Sequence, residues 1–130
     1  MAVPDGGEAF RAFLPTRDFE TSKAFYDALG FEKVLDSEVA IYAIGPGGAG
    51  IILQQHFVEG WAENCMVQLM VDDLDAWWAH IQSLDLETRF GVRAPSAPAM
   101  QPWGLRISYL VDPAGVLWHV AERRSDAPQD

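Results

Sequence analysis

The residue with the most chemistry in this chain of 130 amino acids is His119, near the end of the stretch DPAGVLWHV, residues 112–120. An imidazole on an alternating strand can ligate a metal through one ring nitrogen, or it can make a single hydrogen bond inside a pocket. Ligation needs further donors. His56 reads as a loop residue and His80 as a helix residue, and neither stands at a spacing that joins His119. The single cysteine, Cys65, allows no internal disulfide and makes no thiolate site by itself. The chain has no Gly-x-Ser-x-Gly elbow, no phosphate-binding glycine loop and no Cys/His pair at a meaningful spacing. Acidic residues are plentiful, but they fall at helix caps, turns and tails, the places of solvated or capping groups rather than of general bases. These residues put no catalytic set around His119 and leave both roles, metal ligand and pocket residue, open.

The charge bears on what the chain can bind. With 19 acidic and 9 basic residues the formal net charge is −10. That repels phosphate backbones and argues against a nucleic-acid partner. It keeps the chain soluble and would steer a cationic small molecule towards it. Five tryptophans supply flat rings that bury well and stack on planar ligands. No apolar run approaches the roughly 20 residues of a membrane span. The opening MAVPDGGEAF lacks the charged-then-apolar order of a signal peptide, so a cytoplasmic setting and no membrane partner are expected.

The elements that must hold His119 come in two similar passages. In the first, a strand from about Ala9 to Thr16 leads to a helix from about Thr21 to Leu29, capped by Asp18. Its apolar face would be Ala24, Phe25, Ala28 and Leu29, with Gly30 at the left-handed exit. A strand follows from Phe31. In the second, a strand over Cys65–Val71 leads to a helix capped by Asp72 or Asp73. There Leu74, Trp77, Trp78 and Ile81 share one face, and a strand restarts near Leu86. Asp18 overlays Asp73, Phe19 overlays Leu74, Ala24 overlays Ala79, Leu29 overlays Leu84 and Phe31 overlays Leu86, all at an offset of 55. Each half ends in a hairpin, one turning at Pro-Gly-Gly and the other at Asp-Pro-Ala-Gly. The expected fold is α+β: two βαβββ modules, about 9–56 and 65–122, forming a curved eight-stranded mixed-sheet cup with helices outside. Residues 1–8 read as a disordered N-terminus and 123–130 as a flexible tail.

RDFETSKAFYDALGF and YLVDPAGVLWHV resemble the two signature stretches of the vicinal oxygen chelate superfamily, which includes glyoxalase I, extradiol dioxygenases and the bleomycin resistance proteins. The resemblance covers about residues 9–122. It implies a divalent metal held by four His, Glu or Gln side chains, one from each of four strands. Carried over residue by residue, those positions are Arg11, Leu53 or Gln54, Met66 and His119. A guanidinium has no lone pair to give, leucine cannot ligate, and a thioether is a poor partner for a hard ion. No metal and no other cofactor is therefore expected.

The strand periodicity places Arg11 with Phe13 and Pro15 on one face, Met66 with Gln68 and Met70, and His119 with Leu117 and Ala121, leaving Trp118 on the helix side. Trp61 and Trp103, in loops, would rim the opening. The expected ligand-binding residues are thus Arg11, Phe13, Gln54, Trp61, Met66, Gln68, Trp103 and His119. RAPSAPAMQPWG, with Pro95, Pro98 and Pro102, cannot be a helix and reads as a mobile or partner-crossing segment. The resemblance implies a homodimer. In character the chain is similar to the bleomycin resistance group, which implies a metal-free protein that sequesters a planar or cationic small molecule rather than an enzyme. The alternatives are a metal-dependent lyase or dioxygenase with a degenerate ligand set (Gln54, His119) and a regulatory sensor module.

Overall fold

Asp18 and Asp73 each begin a helix. The Asp18 carboxylate accepts from the Thr21 N–H at 3.1 Å, and that of Asp73 from the Ala76 N–H at 3.0 Å. Each bond satisfies one of the donors a helix start leaves free, at about 1 kcal/mol apiece. The computed structural model describes residues 2–123. Residues 2–9 carry no regular structure, and of the proposed C-terminal tail only Arg123, at the end of the last strand, lies among the described residues.

The first half runs β1 (Phe10–Pro15), α1 (Phe19–Leu29), β2 (Glu32–Asp36), β3 (Val39–Ala43) and β4 (Ala49–Gln54). A short 3-10 turn at Ala62–Asn64 leads to the second half. This is β5 (Met66–Met70), α2 (Leu74–Leu84), α3 (Leu86–Phe90), β6 (Ala99–Met100), β7 (Leu105–Val111) and β8 (Leu117–Arg123). The strands form two four-stranded sheets, ordered β1-β4-β3-β2 and β5-β8-β7-β6. β1 is parallel to β4 and β5 to β8; the other pairs are antiparallel. This is the α+β architecture of eight strands expected from the repeat, with the strands divided into two mixed sheets. α1 and α2 are both 11 residues long, and their starts and ends lie 55 positions apart.

Two expectations need correction. Ala24 is exposed; the buried positions of α1 are Ser22, Lys23, Phe25, Tyr26 and Leu29. The aliphatic stem of Lys23 can be buried because its ammonium reaches Glu20 and Asp36 at 3.0 and 2.9 Å. The strand expected at Leu86 is the helix α3 instead. Asp85 takes a left-handed conformation with φ 51°, which Asp tolerates better than most residues, and this turns the chain so that Leu86 is buried. Phe90 then packs edge-on against Phe25, with ring centroids 5.5 Å apart. The third strand of the second half consequently falls at Ala99–Met100, inside the segment expected to be mobile or partner-crossing.

One core joins the halves. Tyr26 on α1 donates its hydroxyl proton to Asp112 at 2.7 Å and accepts the indole N–H of Trp118 at 2.9 Å. The other oxygen of Asp112 accepts the backbone N–H groups of Ala114, Gly115 and Val116, all at 2.9 Å. The two signature stretches thus meet, and these polar members of them serve the fold. Burial pushes the Asp112 carboxyl above its ordinary pKa, an effect partly offset by its four hydrogen bonds.

Candidate functional site

Strand alternation gives each sheet a helix-side face and an outer face. In the first sheet Leu14, Ala40, Tyr42, Ile51 and Leu53 point to the core. The outer face therefore carries Arg11, Phe13, Ile41, Ile52 and Gln54. Leu53 is fully buried, which leaves Gln54 as the residue on the outer face, opposite Pro15 and Val39. Arg11 lies beside Gly50. A Cβ at Gly50 would stand 2.6 Å from the Tyr42 carbonyl oxygen, so the close approach of β3 to β4 requires glycine there, while Arg11 Cγ would lie at ordinary contact distance, 3.4 Å. Phe13 is 56% exposed.

In the second sheet Val67, Leu69, Trp118 and Val120 point to the core, and Met66, Gln68, Met70, Leu117 and His119 point outward. Trp118 lies on the helix side, as the alternation required. Gln68, His119 and Tyr109 stand directly opposite one another in register across β5, β8 and β7. The His119 ring meets Tyr109 edge-on, with centroids 4.8 Å apart. Its Nε2 is buried and has no hydrogen-bond partner. Burial lowers the ring's pKa below the ordinary 6.5, so the imidazole is neutral at pH 7.

Two concavities are relevant. A cavity of about 410 Å³ opens beside His119, walled by Met66, Tyr109, Val111 and Leu117 and flanked by Arg93, Ala94 and Ser96. Ser96 fixes that flank: it accepts the Tyr109 N–H on its hydroxyl at 3.0 Å, and its own N–H donates to the Tyr109 carbonyl at 3.0 Å. The larger concavity is an open groove of about 1120 Å³ between the halves. Phe31 and Trp77, with ring centroids 6.4 Å apart, line it together with Gln68 and Met70. Glu32, Asp72 and Asp73 supply its charge.

The expected site residues therefore separate. Met66 and His119 share the smaller cavity, and Gln68 lines the groove. Arg11, Phe13 and Gln54 lie on the other sheet. Trp61 sits in the connection between β4 and β5, its ring 6.1 Å from that of His56, and lines neither concavity. Trp103, 60% exposed, lies in the turn between β6 and β7 and also lines neither. Sequence reasoning missed Tyr109 and Arg93. Counting outward from the Asp112–Gly115 turn would have set Tyr109 opposite His119. Arg93 carries no such signal, because an irregular segment places it.

The positions where the superfamily pattern implies a metal do not fit one. Arg11 brings a positive charge, Leu53 is apolar and buried, Met66 offers only a thioether, and His119 alone is a good donor. His80 is engaged elsewhere, its Nε2 lying 2.8 Å from the Leu29 carbonyl oxygen. Among the described residues no group of three or more His, Cys, Asp or Glu is gathered to hold an ion. Nor, among them, is any helix long and apolar enough to cross a membrane.

No family model matches the chain. A bleomycin resistance protein of Klebsiella pneumoniae is 33% identical over 113 residues, which span 80% of this chain and 83% of that protein. The crystal structure of a bleomycin-binding protein complexed with bleomycin aligns with a TM-score of 0.71 at 29% identity, covering 90% of this chain and 99% of the other. A lactoylglutathione lyase from Agrobacterium tumefaciens shares the fold alone, with a TM-score of 0.67 at 19% identity over 98% of this chain and all of that one. With a curated relative at this identity and coverage, and with the two signature stretches joined through Tyr26 and Asp112, the chain belongs to the bleomycin resistance protein family.

Proposed function

We propose that the protein is a metal-free binder that sequesters a planar, cationic small molecule, with the groove between the halves as its main site. The observation that carries this is the lining of the groove: Phe31 and Trp77 offer flat apolar surface, and Glu32, Asp72 and Asp73 offer negative charge with Gln68 and Met70 beside them. Aromatic faces attract cations, and carboxylates at the rim add to that attraction. The family supports the reading, since a bleomycin resistance protein is its curated relative. The ligand-binding role proposed for Arg11, Phe13, Gln54 and Met66 is to complete the bound surface in a homodimer. The exposed apolar side chains of the outer faces, Phe13, Leu35, Met66 and Met70, suit cover by a second copy. In a cytoplasmic setting such a protein acts by lowering the free concentration of its ligand, without chemistry.

Titration calorimetry with bleomycin tests this directly. Saturable heat is expected, with affinity lowered about tenfold or more in the double variant Glu32→Gln, Asp72→Asn, both residues being exposed and outside the core. An unchanged affinity in that variant would remove the groove from the proposal. Sedimentation equilibrium tests the dimer, and metal analysis after growth in mixed divalent ions tests the metal-free claim; about one equivalent of bound metal would overturn it.

A further inference from the structure

We propose that the cavity beside His119 is a second site, of opposite charge preference to the groove, for a flat aromatic molecule bearing a carboxylate, anchored by Arg93. In a chain with 19 acidic and 9 basic residues, this cavity has a guanidinium on its wall and no carboxylate. Three of the other described cations are held by carboxylates. Lys23 and Lys33 share Asp36, and Arg106 bridges Asp75 and Glu122 at 2.7 and 3.1 Å. Among the described residues Arg93 has no carboxylate within ion-pair distance.

Arg93 also borders an adjoining polar cleft of about 490 Å³, where Arg17 adds a second positive charge and Glu63 the opposing one. Asp112 reaches that cleft too, but its oxygens are committed to Tyr26 and to its own turn. Arg93 is the charged residue common to the cavity and this cleft.

The geometry matches the chemistry of such a ligand. A guanidinium presents a planar fork that fits both oxygens of a carboxylate. The aromatic body of the ligand would lie on the Tyr109–His119 ring pair, with Met66, Val111 and Leu117 as apolar walls. The buried Nε2 of His119 is a polar atom wanting a partner, which a ligand oxygen can supply.

The test uses 2-naphthoate, its neutral isostere 2-naphthamide, and the whole protein, observed by NMR at the histidine ring protons. 2-Naphthoate is expected to shift the His119 signals saturably, with 2-naphthamide about tenfold weaker. Arg93→Gln should cost naphthoate about tenfold and Arg93→Lys should recover part of that loss, since charge returns without the fork. Arg93 is exposed, so an unchanged urea midpoint in both variants shows that the fold is kept. Equal affinity for acid and amide, no shift at His119, or no loss in Arg93→Gln would each overturn the proposal. Bleomycin titrated into Arg93→Gln separates the two sites. Heat retained there with naphthoate lost supports both, whereas naphthoate bound at His119 of the unaltered protein, with no bleomycin heat from that same protein, sinks only the groove.

Discussion

The middle rows of the two sheets occupy equivalent places and differ in every residue. In the first sheet the row is Phe13, Ile52 and Ile41; in the second it is Gln68, His119 and Tyr109. Phe13 and Gln68 stand 55 positions apart, the same offset that separates the two helix caps. One row is apolar throughout. The other holds a glutamine, an imidazole and a phenol. The difference continues at the sheet edges. In the first half β2 follows α1 after only Gly30 and Phe31. In the second, α3 and the irregular segment after it intervene, and that segment brings Arg93 and Ser96 to the cavity. Duplication supplied two similar faces, and the departure at Asp85 built a walled cavity over only one of them.

The hairpin turns sharpen this contrast most. The Asp112 turn is pinned to the first half through Tyr26, whereas the turn at Gly45–Gly48 is exposed. Asp112→Ala leaves three backbone N–H groups and the Tyr26 hydroxyl without their acceptor. A loss of about 3–5 kcal/mol in urea unfolding is expected, since breaking one side of a buried charge-assisted network costs that much. Pro46→Ala, in the exposed turn, should stay within about 0.5 kcal/mol. Tyr26→Phe should fall between them at about 1–3 kcal/mol, removing a donor to Asp112 and an acceptor for the Trp118 indole. Equal costs at the two turns would dissolve the asymmetry.

Much of this was legible in the sequence. The caps, helix lengths and hairpins follow from local rules: an Asp before an apolar periodicity, a Pro-Gly turn, strict alternation. Alternation also set Trp118 on the helix side and His119 on the outer face. The α3 segment was not legible, because LETRF has no long periodicity and its form depends on Leu86 and Phe90 finding the core around Phe25. Ala24 failed for a related reason: Lys23 won its place on the buried side through Glu20 and Asp36, and the latter lies on a different element. The gathering of Arg93 with His119 depends on the path of an irregular segment, which no periodicity encodes.

The helix exits give a second, smaller test. Gly30, at φ 96°, and Asp85, at φ 51°, close equivalent helices through left-handed residues. Gly30→Ala forces a Cβ into that conformation and should cost about 1–2 kcal/mol. Asp85→Gly relieves such strain at some cost in chain freedom and should gain a net of up to about 1 kcal/mol. Thermal unfolding of the two variants should therefore move in opposite directions. Movement in the same direction would mean that the αL exit is not what sets the path into α3.

The finest test exchanges the middle rows themselves. His119 and Ile52 are equivalent, so His119→Ile gives the second face the residue of the first. Burial holds the folded pKa of His119 below 6.5, while the unfolded chain titrates near that value. As pH falls below 6.5 the unfolded state takes up the proton first. The contribution of neutral His119 is therefore whole above pH 6.5 and lost progressively as pH drops towards the folded value. Comparing urea midpoints at pH 7.5 and 5 should show a decline in the wild type that His119→Ile reduces, the remaining decline coming from the other titrating groups. At neutral pH the variant should lie within about 1 kcal/mol of the wild type, because removing the unpartnered Nε2 offsets the lost contact with Tyr109. An identical acid decline in both proteins would mean that His119 is as well hydrated folded as unfolded, and the two rows would then differ in shape but not in electrostatics.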